Sequence, residues 1–519
     1  MDQPPQTMES VLLSDCRPTL AQFIAVARGG AAVAFSDAFV YAVNAARARV
    51  EDIVRRQIPV YGITTGLGQN VRVAISAEEN EQLQKNILLS HACSVGNSLD
   101  EESVRAILFT MLLNLGKAVS GVRMETLERI RTYLNLRLHP FTPGEGSVGY
   151  LAVEAHIALT LIGEGYFLCD REKIPAAELL QREGLVPLTL FHKEGLSLIS
   201  GCVSPTALGL LALDAAKRAM KSTELNGALC YEALRAADRA LDPRIHAQKA
   251  HPQQIQAASN LRRLLQGSAI MKRFRDEKVQ DACILRAMPQ IHGAAKQLLA
   301  TVESILLAEL HSCSDNPIVL AEDGEAIACM TGNFDGSFVS THCDVLSVAC
   351  AMLGGLIERR TDRLMNCHLS DGLPPFLTMH PGLGNGLMIV QYTQATLSAK
   401  LKLLAAPASV DTITTCAGQE DPVSMAYGAA QKAQEAADKL LTMTGLECMV
   451  ALHAIDLLPC IDVHEAPSPA VQAVRALARS RVPTLREDRY LYAEMEAFYQ
   501  LAQSQALCSA AEEVAGELG

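Results

Sequence analysis

The sequence predicts an all-α fold built mainly of long helices, with one small β-hairpin. Three observations carry this. Apolar residues recur at helical spacing over long stretches, several of those stretches run many turns without Gly or Pro, and alternating β-branched stretches are scarce. In Gln297–Leu310 the apolar positions are Leu298, Leu299, Val302, Ile305, Leu306 and Leu310. The same periodicity covers Thr206–Leu241, His342–Leu364, Gly386–Leu404 and Ala426–Leu458, so long parallel or antiparallel helices are expected. The hairpin is read from PIVL (317–320), the turn pair Asp323-Gly324 and AIACM (326–330).

Loops concentrate Gly, Pro, Ser and Thr at Gly62–Gly68, His139–Gly149, Asp371–Gly386, Ala408–Pro422 and His464–Pro469. A division near residue 200 is expected. A loop-rich N-terminal helical domain (1–200) precedes it, and a long-helix bundle domain with a C-terminal helical layer (201–519) follows. The 519 residues are enough for a large core. With 49% hydrophobic and 20% charged residues the chain is globular in composition. Its net charge of −12 and lack of basic clusters argue against nucleic acid as a partner. The apolar runs Ile107–Leu115 and Val345–Ile357 read as buried helices, too short or too interrupted to span a bilayer, so no membrane partner is expected. The start, MDQPPQTMES, has no basic region followed by an apolar run, so no signal peptide is expected. Fifteen cysteines without a Cys-x-x-Cys pair read as reduced thiols of a cytoplasmic protein. No ligand cluster has the spacing of a metal site.

Generic motifs give no reaction. His-Glu-x-x-His, P-loop and G-x-S-x-G patterns are absent, and GLGNG (382–386) reads as a loop. A set of longer segments does more. VYGITTGLG (60–68), LSHACSVG (89–96), GEGSVG (144–149), KEGLSLISG (193–201), VQDACILRAMPQIHG (279–293), SDNPIV (314–319), TGNFDG (331–336) and GQEDPVSM (418–425) occur in order. Together they resemble the histidine/phenylalanine/tyrosine ammonia-lyase family along nearly the whole chain. The resemblance implies a histidine/phenylalanine ammonia-lyase-like helical bundle. It also implies a homotetramer whose active sites each take loops from three subunits.

In that family Ala-Ser-Gly follows the Gly-Ser-Val-Gly segment and cyclises to an electrophilic methylidene-imidazolone group. Here Gly149 is followed at once by Tyr150, where the family continues after its tripeptide with Asp. No Ala-Ser-Gly occurs anywhere in the chain. Other positions depart too: the family Asn of Ile-Asn-Gly is Ser200, a pocket Tyr is Cys283, the His of Asn-Phe-His-Gly is Asp335, and the His after Gln-Glu-Asp is Pro422. These joint changes favour a real deletion and an enzyme with no cofactor. The alternative is a mature chain that carries the methylidene-imidazolone group.

The resemblance assigns roles residue by residue. Tyr61 matches the base that removes the β-proton; a phenol needs nearby cations or donors to act so near neutral pH. Arg286 matches the Arg that grips the substrate carboxylate, a task suited to a guanidinium. Glu420 matches a pocket Glu able to bind a ring nitrogen or a cation, or else it caps a helix. His91 occupies the position that senses the substrate ring, or is a satisfied core histidine. Lys400 is a new charge, either a proton donor and partner of Tyr61 or a solvated lysine. Asp335 supplies a new anion, and Phe334 and Tyr150 supply aromatic faces.

Without the electrophile an α-amine leaves poorly. A quaternary ammonium needs no such help, because it departs as a neutral tertiary amine, and carboxylates with aromatic faces suit its charge. The expected activity is therefore an ergothionase-type carbon–nitrogen lyase, eliminating trimethylamine from ergothioneine, a histidine-type betaine, to give thiourocanate. Two alternatives stand beside it: a histidine or tyrosine ammonia-lyase bearing the prosthetic group, and a non-catalytic relic that only binds. The substrate is an amino acid or a betaine in either enzyme reading.

Overall fold

A computed structural model describes residues 10–519; the start read for a signal peptide lies largely outside them. The chain is 59% helix with few short strands, as the periodicity predicts. The longest helices are Val203–Ala233, Met288–Leu310, Ser337–Met365, Met388–Leu404 and Ala426–Asp456. Each overlaps a stretch read as helical, but Met288–Leu310 starts nine residues before Gln297 and Val203–Ala233 stops eight residues before Leu241. The hairpin also forms. Ile318–Glu322 pairs antiparallel with Glu325–Cys329, from Ile318 opposite Cys329 to Glu322 opposite Glu325. Asp323 and Gly324 turn it with φ of +51° and +84°, the positive pair a two-residue hairpin demands.

Three further two-stranded pairs were not read from the sequence. Val11–Leu13 runs parallel to Val33–Phe35, Val95–Ser98 antiparallel to Pro143–Glu145, and Tyr166–Cys169 antiparallel to Glu172–Pro175. Strands of three or four residues carry too little alternation to register.

The chain divides into two compact units. Of the described residues, the first comprises 10–211, 303–344 and 407–432; the second comprises 212–302, 345–406 and 433–519. In the first unit, Glu101–Leu115 is buried from Ser103 to Leu115, which accounts for its unbroken apolar run. Arg105 lies within that helix, 1% exposed, and is satisfied by backbone oxygens of Val26, Ala27 and Leu134. In the second unit a core of leucines, alanines and valines surrounds a buried ion pair. Arg360 reaches both Glu447 carboxylate oxygens, at 2.5 and 2.8 Å, and both side chains are fully buried. The run Val345–Ile357 belongs to Ser337–Met365, which is long and apolar enough to cross a membrane by length and composition. Its apolar window is 61% buried in the protein, as in a core helix. The expectation that this run is too short to span is thereby corrected: the helix continues past it at both ends.

Candidate active site

Tyr61 sits in a loop that its own residues tie down. Thr64 Oγ1 accepts the Val60 N–H at 2.8 Å and donates to the Ile58 carbonyl at 2.6 Å. Asn80 Nδ2 donates to the Ile63 carbonyl at 3.0 Å. Gly62 has φ +66°, and a Cβ there would lie 2.4 Å from Leu196 Cδ2, so only glycine fits. The half-buried Tyr61 hydroxyl accepts the Gly68 N–H at 3.1 Å. Burial pushes its pKa above the ordinary value; the Gly68 N–H opposes this, while Cys416 and Glu420 add to it.

A cavity of about 240 Å³ lies in the first unit. Tyr61, Tyr150, Phe334 and Glu420 line it, so four of the sequence-derived residues meet there. Tyr150 and Phe334 pack edge to face, centroids 5.3 Å apart at 79°. Glu420 Oε2 accepts from Thr415 Oγ1 at 2.7 Å, and its backbone pairs with Thr415. Burial, then Glu420, then Asp335 and Cys416 push the Tyr150 phenol well above its ordinary pKa. The Tyr150 hydroxyl makes no hydrogen bond of good geometry among the described residues; Glu420 raises its pKa through its charge and as a nearby acceptor.

The cavity wall also includes Ser200, Asn316, Leu196, Met330, Cys416 and Gln419, to which the sequence attached no catalytic role. Behind it the fully buried Lys193 and Asp315 form an ion pair. Ser197 Oγ joins them, accepting from Lys193 at 2.7 Å and donating to Asp315 at 2.9 Å. Asp315 Oδ1 and Ser200 Oγ both accept the Asn316 N–H, at 2.7 and 3.1 Å. The signal for this network was present in KEGLSLISG and SDNPIV, but nothing in either segment said that they meet.

Four site residues are placed elsewhere. Asp335 is exposed, and its Oδ1 accepts the Ser337 N–H at 3.0 Å. It caps the helix Ser337–Met365 and does not line the cavity. His91 ends the helix Ala77–His91, where its Nδ1 lies 2.7 Å from the Ile87 carbonyl; it too is not part of the wall. Arg286 and Lys400 are exposed on the second unit. Arg286 donates to Cys283 Sγ at 3.3 Å.

The residues at the junction do not fit a methylidene-imidazolone group. Gly149, with φ +148°, donates its N–H to Ser147 Oγ at 3.1 Å, and that hydroxyl donates to the Tyr150 carbonyl at 3.0 Å. Leu151 has φ +79° and ψ −68°, and Ala152 N–H donates to the Tyr150 carbonyl at 3.2 Å. This is a γ-turn of the rare, strained hand, costing on the order of 1–3 kcal/mol. It closes the chain directly onto the helix Ala152–Leu161, with no Ala-Ser-Gly to cyclise.

The pattern of the family described as aromatic amino acid lyase matches residues 19–480. A histidine ammonia-lyase from Symbiobacterium thermophilum is 43% identical over 514 residues, covering 98% of this chain and all of that protein. The crystal structure of histidine ammonia-lyase from Trypanosoma cruzi superposes with a TM-score of 0.90 at 34% identity, covering 97% of this chain and 95% of that one. Ergothionase from Treponema denticola superposes at 0.88 with 25% identity, covering 96% and 99%.

These findings overturn the expected elimination of trimethylamine from ergothioneine. The chain is more alike to histidine ammonia-lyases than to the ergothionase, and Asp335, the carboxylate expected beside a trimethylammonium group, is engaged as a helix cap outside the cavity. The expectation of no cofactor is overturned with it, since ammonia-lyases of this kind carry the methylidene-imidazolone group. At residues 149–151 the family pattern and the local residues therefore disagree. Matched over residues 19–480 and aligned end to end with such relatives, the chain belongs to the aromatic amino acid lyase family.

Proposed function

We propose that the protein is an ammonia-lyase acting on histidine. The observation that carries this reading is that Tyr61 and Glu420 face one cavity in a chain 43% identical to a histidine ammonia-lyase. Tyr61, as phenolate, takes the β-proton; the electrons of that C–H bond form the C=C bond; the C–N bond of the protonated α-amine breaks with its electron pair going to nitrogen, which leaves as ammonia. The Gly68 N–H steadies the phenolate oxygen. Glu420 accepts a hydrogen bond from the imidazole N–H and orients the ring, and Phe334 packs against it.

Arg286 and Lys400 belong to this reading as residues supplied by neighbouring copies in a homotetramer, as the family resemblance implies. Their exposure supports it, as do the exposed apolar residues Ile389, Tyr392 and Leu403 on the same helix as Lys400. The test is incubation with histidine while following urocanate by its ultraviolet absorbance and ammonia by a coupled assay. No urocanate refutes the proposal. Intact mass measured alongside shows whether an active chain holds Ala-Ser-Gly, less two waters, beyond the printed sequence.

A further inference from the structure

Tyr150 is 5% exposed, its ring is held edge-on by Phe334, and its hydroxyl lacks a hydrogen-bond partner of good geometry among the described residues. It nevertheless lines the cavity that Glu420 lines. A buried polar group without a partner calls for an explanation, and here the cavity supplies one. Burial, and after it the carboxylate of Glu420, keeps the phenol protonated, so it enters the cavity as a donor, whereas a carboxylate only accepts. A neutral imidazole carries one N–H donor and one bare nitrogen acceptor. The two side chains match its two ring nitrogens.

We propose that Tyr150 Oη donates a hydrogen bond to the unprotonated ring nitrogen of an imidazole-bearing ligand whose N–H is taken by Glu420, making Tyr150 a determinant of ring specificity. The inference rests on the reading of the site as that of a histidine lyase. A hydrogen bond to that nitrogen also draws electron density from the ring and makes the adjacent β-C–H more acidic.

The experiment is calorimetric binding of trans-urocanate and trans-cinnamate to the full-length protein and to Tyr150→Phe. Cinnamate has the same acrylate chain but no ring nitrogen. The variant should bind urocanate about tenfold more weakly with cinnamate unaffected. Its melting temperature should equal or exceed that of the parent, because an unpartnered hydroxyl is removed. Unchanged urocanate binding, or equal weakening for both acids, overturns the inference while leaving the histidine-lyase reading in place. If cinnamate binds neither protein, the urocanate pair decides, with the melting temperature reporting folding. If the parent protein does not bind urocanate, the histidine-lyase reading falls, and this inference with it.

Discussion

Replacing Tyr61 by Phe tests the proposed base. The change removes one oxygen and leaves the Gly68 N–H without its acceptor, a loss of about 1 kcal/mol, so the variant should fold. Turnover of histidine should fall by about 10²- to 10⁴-fold, the usual worth of a positioned general base, while urocanate still binds. The structure also fixes a pH signature. Burial, Cys416 and Glu420 hold the phenol above its ordinary value of 10.0 against the single opposing Gly68 N–H. At pH 7 fewer than about one molecule in a thousand is then phenolate. Log kcat/KM should climb by about one for each pH unit from 7 towards 10. Because Glu420 raises the phenol, Glu420→Gln should move that climb to lower pH. Steady-state assays across this range decide the matter. A Tyr61→Phe enzyme within about tenfold of the parent, or a parent profile that levels off below about pH 9, refutes the assignment.

Two predictions concern the second unit's core. Glu447→Gln leaves the guanidinium of the fully buried Arg360 without its anion and should cost about 3–5 kcal/mol, read as a lowered melting temperature; Arg360→Met combined with Glu447→Leu should recover most of it. Glu232 accepts from Ser468 N–H and Ser268 Oγ, both at 2.9 Å, yet burial pushes its carboxyl up to about 7. The folded state then holds this proton more tightly than the unfolded chain does. Its stabilisation is complete below about pH 4.5 and is lost as pH rises to about 7, on the order of 3 kcal/mol. Thermal melts of Glu232→Gln across that window should lack this decline, and a decline equal to the parent's would show that another group causes it.

The fold was legible where the sequence repeats one physical condition many times. The helix Ala426–Asp456 has 31 residues, and over eight turns no Pro interrupts its apolar stripe. The hairpin was legible for the opposite reason: Asp323-Gly324 is one dipeptide that satisfies a demanding turn by itself. The pair Val11–Leu13 and Val33–Phe35 has neither advantage. Its strands have three residues and are joined across a helix, so no local signal marks their parallel register.

The site divides along a different line. Motif resemblance can name a residue but not what its side chain is already bonded to. Tyr61, Tyr150 and Glu420 reach the cavity because their loops are pinned by the bonds Val60 N–H to Thr64 Oγ1, Leu151 N–H to the Ile199 carbonyl and Thr415 N–H to the Glu420 carbonyl. Ser200 and Asp335 were read as signs of altered chemistry, since both replace residues expected near the reacting group. Each instead answers a local demand: Ser200 Oγ takes the Asn316 N–H, and Asp335 takes the Ser337 N–H at the start of a 29-residue helix. A side chain already accepting a backbone N–H has a structural reason to be where it is, so its identity is weak evidence for a new leaving group. Tyr150 is the departure for which that explanation fails. Among the described residues its hydroxyl accepts nothing and donates to nothing in good geometry, and among the replacements read from the sequence it is the one for which a bound molecule is the proposed partner.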